Sequence, residues 1–260
     1  SHHITVIKGG VGNGYVGYYA TAVYNGEGVI TGTRLEDNGY LIYTLGEEKI
    51  LLGYDGEEKN LVLPTYITKI NQYAFYNCNN ISINKLPNVN EIKPYAFYNC
   101  TNLALTELPE QINNVGEYAF YNCSNMTITK LPDTLKIIDK SAFSGCSNLT
   151  LSNLPNELNE LGEYAFCNCP NLTFTKLPKN LVILPAGCFS GCSNLALTEF
   201  PNTITEIDAP IGYEKSNEVD HSDPAGRHAD RQRRLVYVRL RPGNGAGFSH
   251  QPGKKLCSVR

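Results

Sequence analysis

The sequence predicts a solenoid, α/β leaning to mostly β, closed at its N-terminal end by a β-hairpin cap. Three observations carry that expectation. First, one motif recurs between Asn60 and Thr198, with proline, phenylalanine and cysteine in fixed order. The phenylalanines are Phe75, Phe97, Phe120, Phe143, Phe166 and Phe189, and the cysteines Cys78, Cys100, Cys123, Cys146, Cys169 and Cys192. The interval is 23 residues, shortened once to 22 beside Pro87. A fixed period of this length marks a repeat protein, whose units cannot bury an apolar side alone and stack on their neighbours. Second, superposing the motifs gives the outward column Lys85, Glu107, Lys130, Asn153, Lys176 and Glu199, with no like charges adjacent. That is what in-register stacking requires. Third, a strand, turn and strand pattern precedes the first repeat.

The chain divides accordingly. Residues 1–59 are a β-rich N-terminal segment with the capping hairpin, residues 60–208 hold six full coils and a partial seventh, and residues 209–260 form a tail. In the first segment, Ile4–Ile7 and Tyr15–Ala20 read as short strands broken by glycine. Gly39–Leu45, a turn over Gly46–Lys49 and Ile50–Tyr54 read as the hairpin, which shields the first coil's apolar edge.

Each coil contains two apolar stretches. One is Leu103-Ala-Leu-Thr-Glu-Leu-Pro109 and its equivalents, whose alternation predicts a strand with Leu103 and Leu105 inward and Ala104 and Thr106 outward. Proline then ends ladder donation. The other is an apolar pair three residues apart, as in Ile112 and Val115 or Leu158 and Leu161. It leads into Tyr-Ala-Phe, which reads as one turn of tight helix or a bend placing Phe inside. Asparagines stand two residues after every repeat cysteine (Asn80, Asn102, Asn125, Asn148, Asn171, Asn194), suggesting amides bonded between coils.

After Asp208 the pattern collapses. Residues 1–208 carry 12 Lys and Arg against 20 Asp and Glu, net −8, while 209–260 carry 10 against 5, net +5. The tail reads as disordered, or as foreign to the repeat protein. Its arginines (Arg227, Arg231, Arg233, Arg234, Arg239, Arg241) suit nucleic acid or a membrane surface, but a solvated tail is the simpler reading. The start at Ser1-His2-His3 reads as that of a fragment, with no signal peptide. No apolar run approaches the roughly 20 residues of a membrane helix.

The motif resembles the BspA-like leucine-rich repeats, whose coils carry an apolar-x-x-Ile-x-x-x-Ala-Phe-x-x-Cys-x-x-Leu core followed by Leu-Pro. Ile112, Val115, Ala119, Phe120, Cys123 and Met126 occupy that pattern, as do Leu158, Leu161, Ala165, Phe166, Cys169 and Leu172. The resemblance spans roughly residues 39–208. It departs at Cys188, which replaces the alanine before Phe189, and in its L-x-L-x-x-L-P strand spacing. The resemblance implies a leucine-rich-repeat solenoid on a bacterial or protozoan surface, or secreted, used in adhesion to host matrix or glycans.

Catalysis finds little support. Nucleophilic chemistry needs a base beside the nucleophile, and the histidines (His2, His3, His221, His228, His250) all lie outside the repeats. Gly9–Gly14 lacks the Lys-Ser/Thr ending of a phosphate loop. Glu157, Glu160 and Glu163 read as solvated carboxylates. The cysteine column reads as packed thiols, and Cys167 and Cys169 facing Cys188 and Cys192 are the one place for a disulfide. The sequons, such as Asn125-Met-Thr127 and Asn148-Leu-Thr150, follow from the repeat. No metal or cofactor is expected.

A binding surface is expected instead. Tyr73, Tyr95 and Tyr118 form one column and Tyr76, Tyr98 and Tyr121 another; the second continues as Ser144, Cys167 and Ser190. Tyrosine supplies contact area and a hydroxyl together, although stacking for its own stability is the simpler reading of the columns. With Lys85, Thr106, Glu107, Thr129 and Lys130, they are the candidate surface for a protein or glycan partner on a host or neighbouring cell. The rival reading is a passive spacer or stalk.

Overall fold

The computed structural model describes residues 3–12, 15–24, 29–30 and 33–208, with two short strands at 213–215 and 233–235; side chains are described for 38–44 and 46–208. The N-terminal strands β1 (His3–Gly12), β2 (Tyr15–Tyr24) and β3 (Val29–Ile30) form an antiparallel sheet in the order β1-β2-β3. Glycine does not end β1; a register shift between Gly9 and Val11 absorbs Gly10 as a bulge, and a second shift falls between Thr5 and Val6.

The cap is a three-stranded meander. β4 (Thr33–Asp37) turns into β5 (Tyr40–Leu45) through Asn38-Gly39, both at positive φ. Asn-Gly is the favoured pair for a two-residue hairpin turn. β6 (Glu48–Tyr54) then pairs antiparallel with β5, through a Gly46-Glu47 turn two residues shorter than expected. The rings of Tyr40 and Tyr54 lie 5.0 Å apart, and the Tyr40 hydroxyl donates to the Val62 carbonyl at 2.9 Å, fastening cap to coil.

Coils are numbered by their phenylalanines, from Phe75 in coil 1 to Phe189 in coil 6. Coil 1 also contains β7 (Asn60–Leu61). The repeating strands are β8 (Lys69–Ile70), β10 (Glu91–Ile92), β11 (Asn114–Val115), β12 (Ile137–Ile138), β13 (Glu160–Leu161), β14 (Ile183–Leu184) and β15 (Glu206–Ile207), with β9 (Ser82–Ile83) between the first two. Eight strands share one sheet in the order β13-β12-β11-β10-β8-β6-β5-β4. The hairpin therefore extends the solenoid's own parallel wall, with Leu51 opposite Ile70. There is no helix among the described residues, and hence none long and apolar enough to cross a membrane.

The position of the repeating sheet differs from expectation. It runs through the second apolar stretch, not through Leu103–Pro109. In the latter segment only β9 pairs, with β7, and Lys176 bridges Glu199. Elsewhere that wall is tied by single bonds, such as Thr127 N to Leu105 O at 3.0 Å. Proline at the end of each segment limits donation, so alternation there sets burial without a full ladder. Leu103 and Leu105 are buried and Thr106 exposed, as their alternation predicts.

Inside, equivalent residues stand above one another. Successive phenylalanine rings lie 5.3–5.5 Å apart from Phe75 to Phe166, nearly parallel, and all are fully buried. From coil 2 onward the column cysteine donates its thiol to the phenylalanine carbonyl of the preceding coil. Cys123 Sγ reaches Phe97 O at 3.1 Å, and Cys146 reaches Phe120 O at 3.1 Å. All eight described cysteines are free thiols, Cys167, Cys169, Cys188 and Cys192 included. Of the tail, the structure describes β16 (Tyr213–Lys215) paired antiparallel with β17 (Arg233–Leu235); the expectation of disorder falls otherwise on residues outside the described ones.

Candidate functional site

The corner of each coil is where the backbone does something a simple turn does not. In coil 3, Ala119, Tyr121 and Cys123 donate back three residues, to Gly116, Tyr118 and Phe120. Tyr118, Phe120 and Asn122 donate forward instead, to Lys140, Ala142 and Ser144 of the next coil, at 2.8, 2.8 and 2.7 Å. Alternate N–H groups thus point along the chain and along the stack. The flip comes from left-handed residues: φ is 53° at Tyr118 and 57° at Asn122. The same two places are left-handed in every full coil. One column reads Tyr73, Tyr95, Tyr118, Ser141, Tyr164 and Gly187, the other Asn77, Asn99, Asn122, Gly145, Asn168 and Gly191.

The two columns are filled differently. Asn and Gly are the residues that visit this region routinely, and the second column holds nothing else. Its amides also form a ladder, with Asn99 Nδ2 donating to Asn77 Oδ1 at 3.1 Å and Asn122 Nδ2 to Asn99 Oδ1 at 2.6 Å. The asparagines two after cysteine are less regular. Asn171 donates to Ser147 O at 2.8 Å and Asn125 to Asn102 Oδ1 at 3.4 Å, while Asn80 Oδ1 is buried with no protein partner. The first column puts tyrosine where a Cβ is strained by about 1–2 kcal/mol.

The tyrosines form one patch. Within the first column, Tyr73 and Tyr95 lie 5.0 Å apart and Tyr95 and Tyr118 5.1 Å. Within the second, Tyr76 and Tyr98 are 4.8 Å apart and Tyr98 and Tyr121 4.9 Å. Planes within a column differ by 7–19°. Across the columns, Tyr73 meets Tyr76 at 5.6 Å and Tyr118 meets Tyr121 at 5.6 Å, edge to face or tilted. All six are half-buried. Each ring between two others is stacked on both faces and remains partly exposed. Partial burial raises the Tyr95 phenol pKa, helped by the Glu117 carboxylate, and Tyr98 is raised by burial and by its tyrosine neighbours. These hydroxyls stay protonated, able both to donate and to accept.

The charged neighbours of the patch were not among the candidates drawn from sequence. They are Glu117, Lys140 and Glu163, with Lys140 Nζ 2.9 Å from Glu163 Oε2. That hydrogen bond raises the Lys140 pKa. Their signal was legible: each precedes the tyrosine position by one residue. Lys85, Thr106, Glu107, Thr129 and Lys130 lie instead on the wall that follows the corner, all exposed. There Lys85 faces Glu107 at 3.8 Å, and Lys130 turns to Asp133 at 3.0 Å. The candidate residues therefore fall into two groups, and ring contacts join only the tyrosines.

Chemically, the corner offers neutral hydrogen-bonding groups on a rigid frame. The repeat thiols are held protonated by burial, with Cys100, Cys123, Cys146 and Cys169 well above the ordinary value. None of the five histidines is among the residues whose side chains are described, and no cluster of three potential metal ligands occurs among the described residues.

Stacked coils, a parallel wall, and one column each of phenylalanine and cysteine define a leucine-rich-repeat solenoid. The chain belongs to the BspA type leucine rich repeat family, whose region matches residues 54–134 and 113–211 in six copies. No curated protein matches it. Among solved structures, it is similar to a leucine rich repeat protein of T. pallidum, at 28% identity and TM-score 0.56, over 69% of this chain and 86% of that one. A leucine rich cell surface protein from Faecalibacterium prausnitzii A2-165 aligns at 17% identity and TM-score 0.32, over 69% and 85%. A leucine-rich repeat protein from Bacteroides ovatus aligns at 19% and 0.32, over 73% and 78%.

Proposed function

We propose that this chain is a non-catalytic recognition module, exposed at a cell surface or secreted, that binds a protein partner through the tyrosine face of coils 1–3. One observation carries the reading. The fold needs a left-handed residue at the start of each corner, and Ser141 and Gly187 show that it needs no ring there. Four coils nevertheless hold tyrosine at that angle, where glycine would sit without strain, and residues kept in strained conformations cluster at binding sites. A protein suits the face better than a glycan. Sugars stack on open aromatic faces, and here neighbouring rings cover those faces. Tyrosine edges beside asparagine amides resemble the composition of antibody contact loops, where tyrosine gives rigid area and asparagine adaptable hydrogen bonds. Adhesion, expected from the family, is the role such a surface serves.

The test is an array of extracellular-matrix proteins and glycans probed with the whole chain and with Tyr76→Ser/Tyr98→Ser/Tyr121→Ser. A protein hit weakened by about ten-fold or more in the triple variant supports the reading. Hits confined to glycans would reassign the ligand. No hit, or one indifferent to the substitutions, would favour a passive spacer.

A further inference from the structure

The stack is not bonded equally at every junction. On the sheet wall, the residue two places before the left-handed corner position donates its N–H to the preceding coil or cap at five of seven junctions; in coil 2 Lys93 makes no such bond, but β10 stays paired with β8 through Ile92 and Ile70. Asn71 reaches Leu51 O at 2.9 Å, Gly116 reaches Ile92 O at 2.8 Å, and Asp139 reaches Val115 O at 2.9 Å. Gly162 reaches Ile138 O at 2.7 Å and Asp208 reaches Leu184 O at 2.8 Å. In coil 6 that residue is Pro185, which has no N–H to give. The eight-stranded sheet ends at this point with β13, and β14 pairs only with β15.

A second observation agrees. The Phe166–Phe189 spacing widens to 6.0 Å, against 5.3–5.5 Å elsewhere in the ladder. On the outer face of the same wall, Val182 and Ile183 are 47% and 45% exposed, where the coil before presents Asn159 and Glu160. The corner, by contrast, keeps its axial bonds across the junction: Tyr164 N to Ala186 O at 3.0 Å, Phe166 N to Cys188 O at 2.9 Å, Asn168 N to Ser190 O at 2.6 Å.

We infer that residues 181–208 open from the stack as a separate unit, hinged along the corner, with the sheet wall parting at Pro185. Solenoid stability is a sum of unit terms and nearest-neighbour terms. One weakened junction is therefore where partial opening stops, so the boundary is a step and not the gradual fraying of a free end. Opening uncovers Phe189 and the thiols of Cys188 and Cys192, and leaves Leu161 at the free edge of the main sheet.

Every full coil carries a buried thiol, so opening can be read coil by coil by native-state alkylation with iodoacetamide and peptide mapping. Cys188 and Cys192 are expected to react together, about ten-fold or more faster than Cys100, Cys123 and Cys146, since one missing backbone bond separates the two groups. Pro185→Asp restores the donor with the residue that coils 4 and 7 use, and is expected to slow Cys188 and Cys192 by about five-fold. Asp139→Pro is expected to move the step, bringing Cys146 and Cys169 into the fast group. A smooth gradient from Cys78 to Cys192, or rates unchanged in Pro185→Asp, would overturn the inference. Should Asp139→Pro not fold, amide exchange over 183–208 in wild type and Pro185→Asp decides the matter: protection must rise in the variant.

Discussion

Coils 1–3 and coils 4–6 share an interior and differ outside. Phenylalanine and cysteine run through both halves without a gap, and alanine fails only at Cys188. The corner columns change instead: Tyr73, Tyr95, Tyr118 become Ser141, Tyr164, Gly187, and Tyr76, Tyr98, Tyr121 become Ser144, Cys167, Ser190. Backbone angles at the corner are nonetheless the same in both halves, with φ between 52° and 64° throughout the first column. Conformation is thus fixed by axial hydrogen bonding, while the side chain there is free to vary. Where it varies, fold is satisfied either way and the reason for tyrosine lies in what the surface meets.

That contrast is sharpest between neighbours in coil 3. Phe120 is fully buried between Phe97 and Phe143, at 5.4 and 5.5 Å, whereas Tyr121 next to it is half-buried. Phe120→Ala is expected to cost about 3–5 kcal/mol, because the removed ring leaves a cavity that two rigid neighbours cannot fill. Tyr121→Ser, which copies Ser144, is expected to cost under about 1 kcal/mol. Urea denaturation of the two variants checks the pair. Equal losses would mean that the tyrosines are structural and would remove the motive for a binding face.

Interior and surface should also separate by pH. Burial raises the repeat thiols, and Cys192 is pushed up to about 12 from the ordinary 9.0. The folded state then holds a proton that the unfolded chain releases first. Stability is therefore full below about pH 9 and falls as pH rises toward 12, by at most about 1.4 kcal/mol per pH unit for each such thiol. Denaturation midpoints measured from pH 7 to 11 should decline, and Cys192→Ala should flatten the slope while lowering stability at pH 7. A flat profile in wild type would mean that the thiols are open to water.

How much of this was legible follows from the same division. The period, the phenylalanine ladder and the inward leucines were readable because burial imposes a residue type at every turn. The charge column was readable because like charges repel at strand spacing; Lys176 and Glu199 do pair at 3.0 Å. Strand position was not readable. Leu-x-Leu alternation reports which side chains face inward, but hydrogen bonding depends on where proline withholds a donor, and that favoured the other wall. The left-handed corner was half-written in the sequence. A column of only Asn and Gly announces it, but tyrosine at the same angle hides its partner. The seam at Pro185 required knowing which residue of the coil donates.

Smaller effects test the corner directly. Asn122 is left-handed, and its equivalents Gly145 and Gly191 tolerate the angle freely. Asn122→Ala forces a Cβ-bearing residue without a local polar group into that region and also removes the bond to Asn99, so a loss of about 1–2 kcal/mol is expected. Asn122→Gly keeps the angle and should lose roughly half as much. Thermal melts of both distinguish backbone strain from amide bonding. If Ala and Gly behave alike, the ladder of amides outweighs the angle.

The weakest term should be the exposed charge column, which is the feature that first argued for register. Lys176 and Glu199 are each well exposed, at 66% and 60%, so water screens their attraction and two long side chains must be ordered to make the pair. Glu199→Gln is expected to change stability by no more than about 0.5 kcal/mol, and to change it less still in 0.5 M salt. Glu199→Lys is the more informative substitution, because it sets two like charges at strand spacing across the junction between coils 5 and 6. If residues 181–208 open at Pro185, that repulsion should speed alkylation of Cys192 without shifting the main unfolding transition. A matching drop in the main transition would show instead that the last coils melt with the rest.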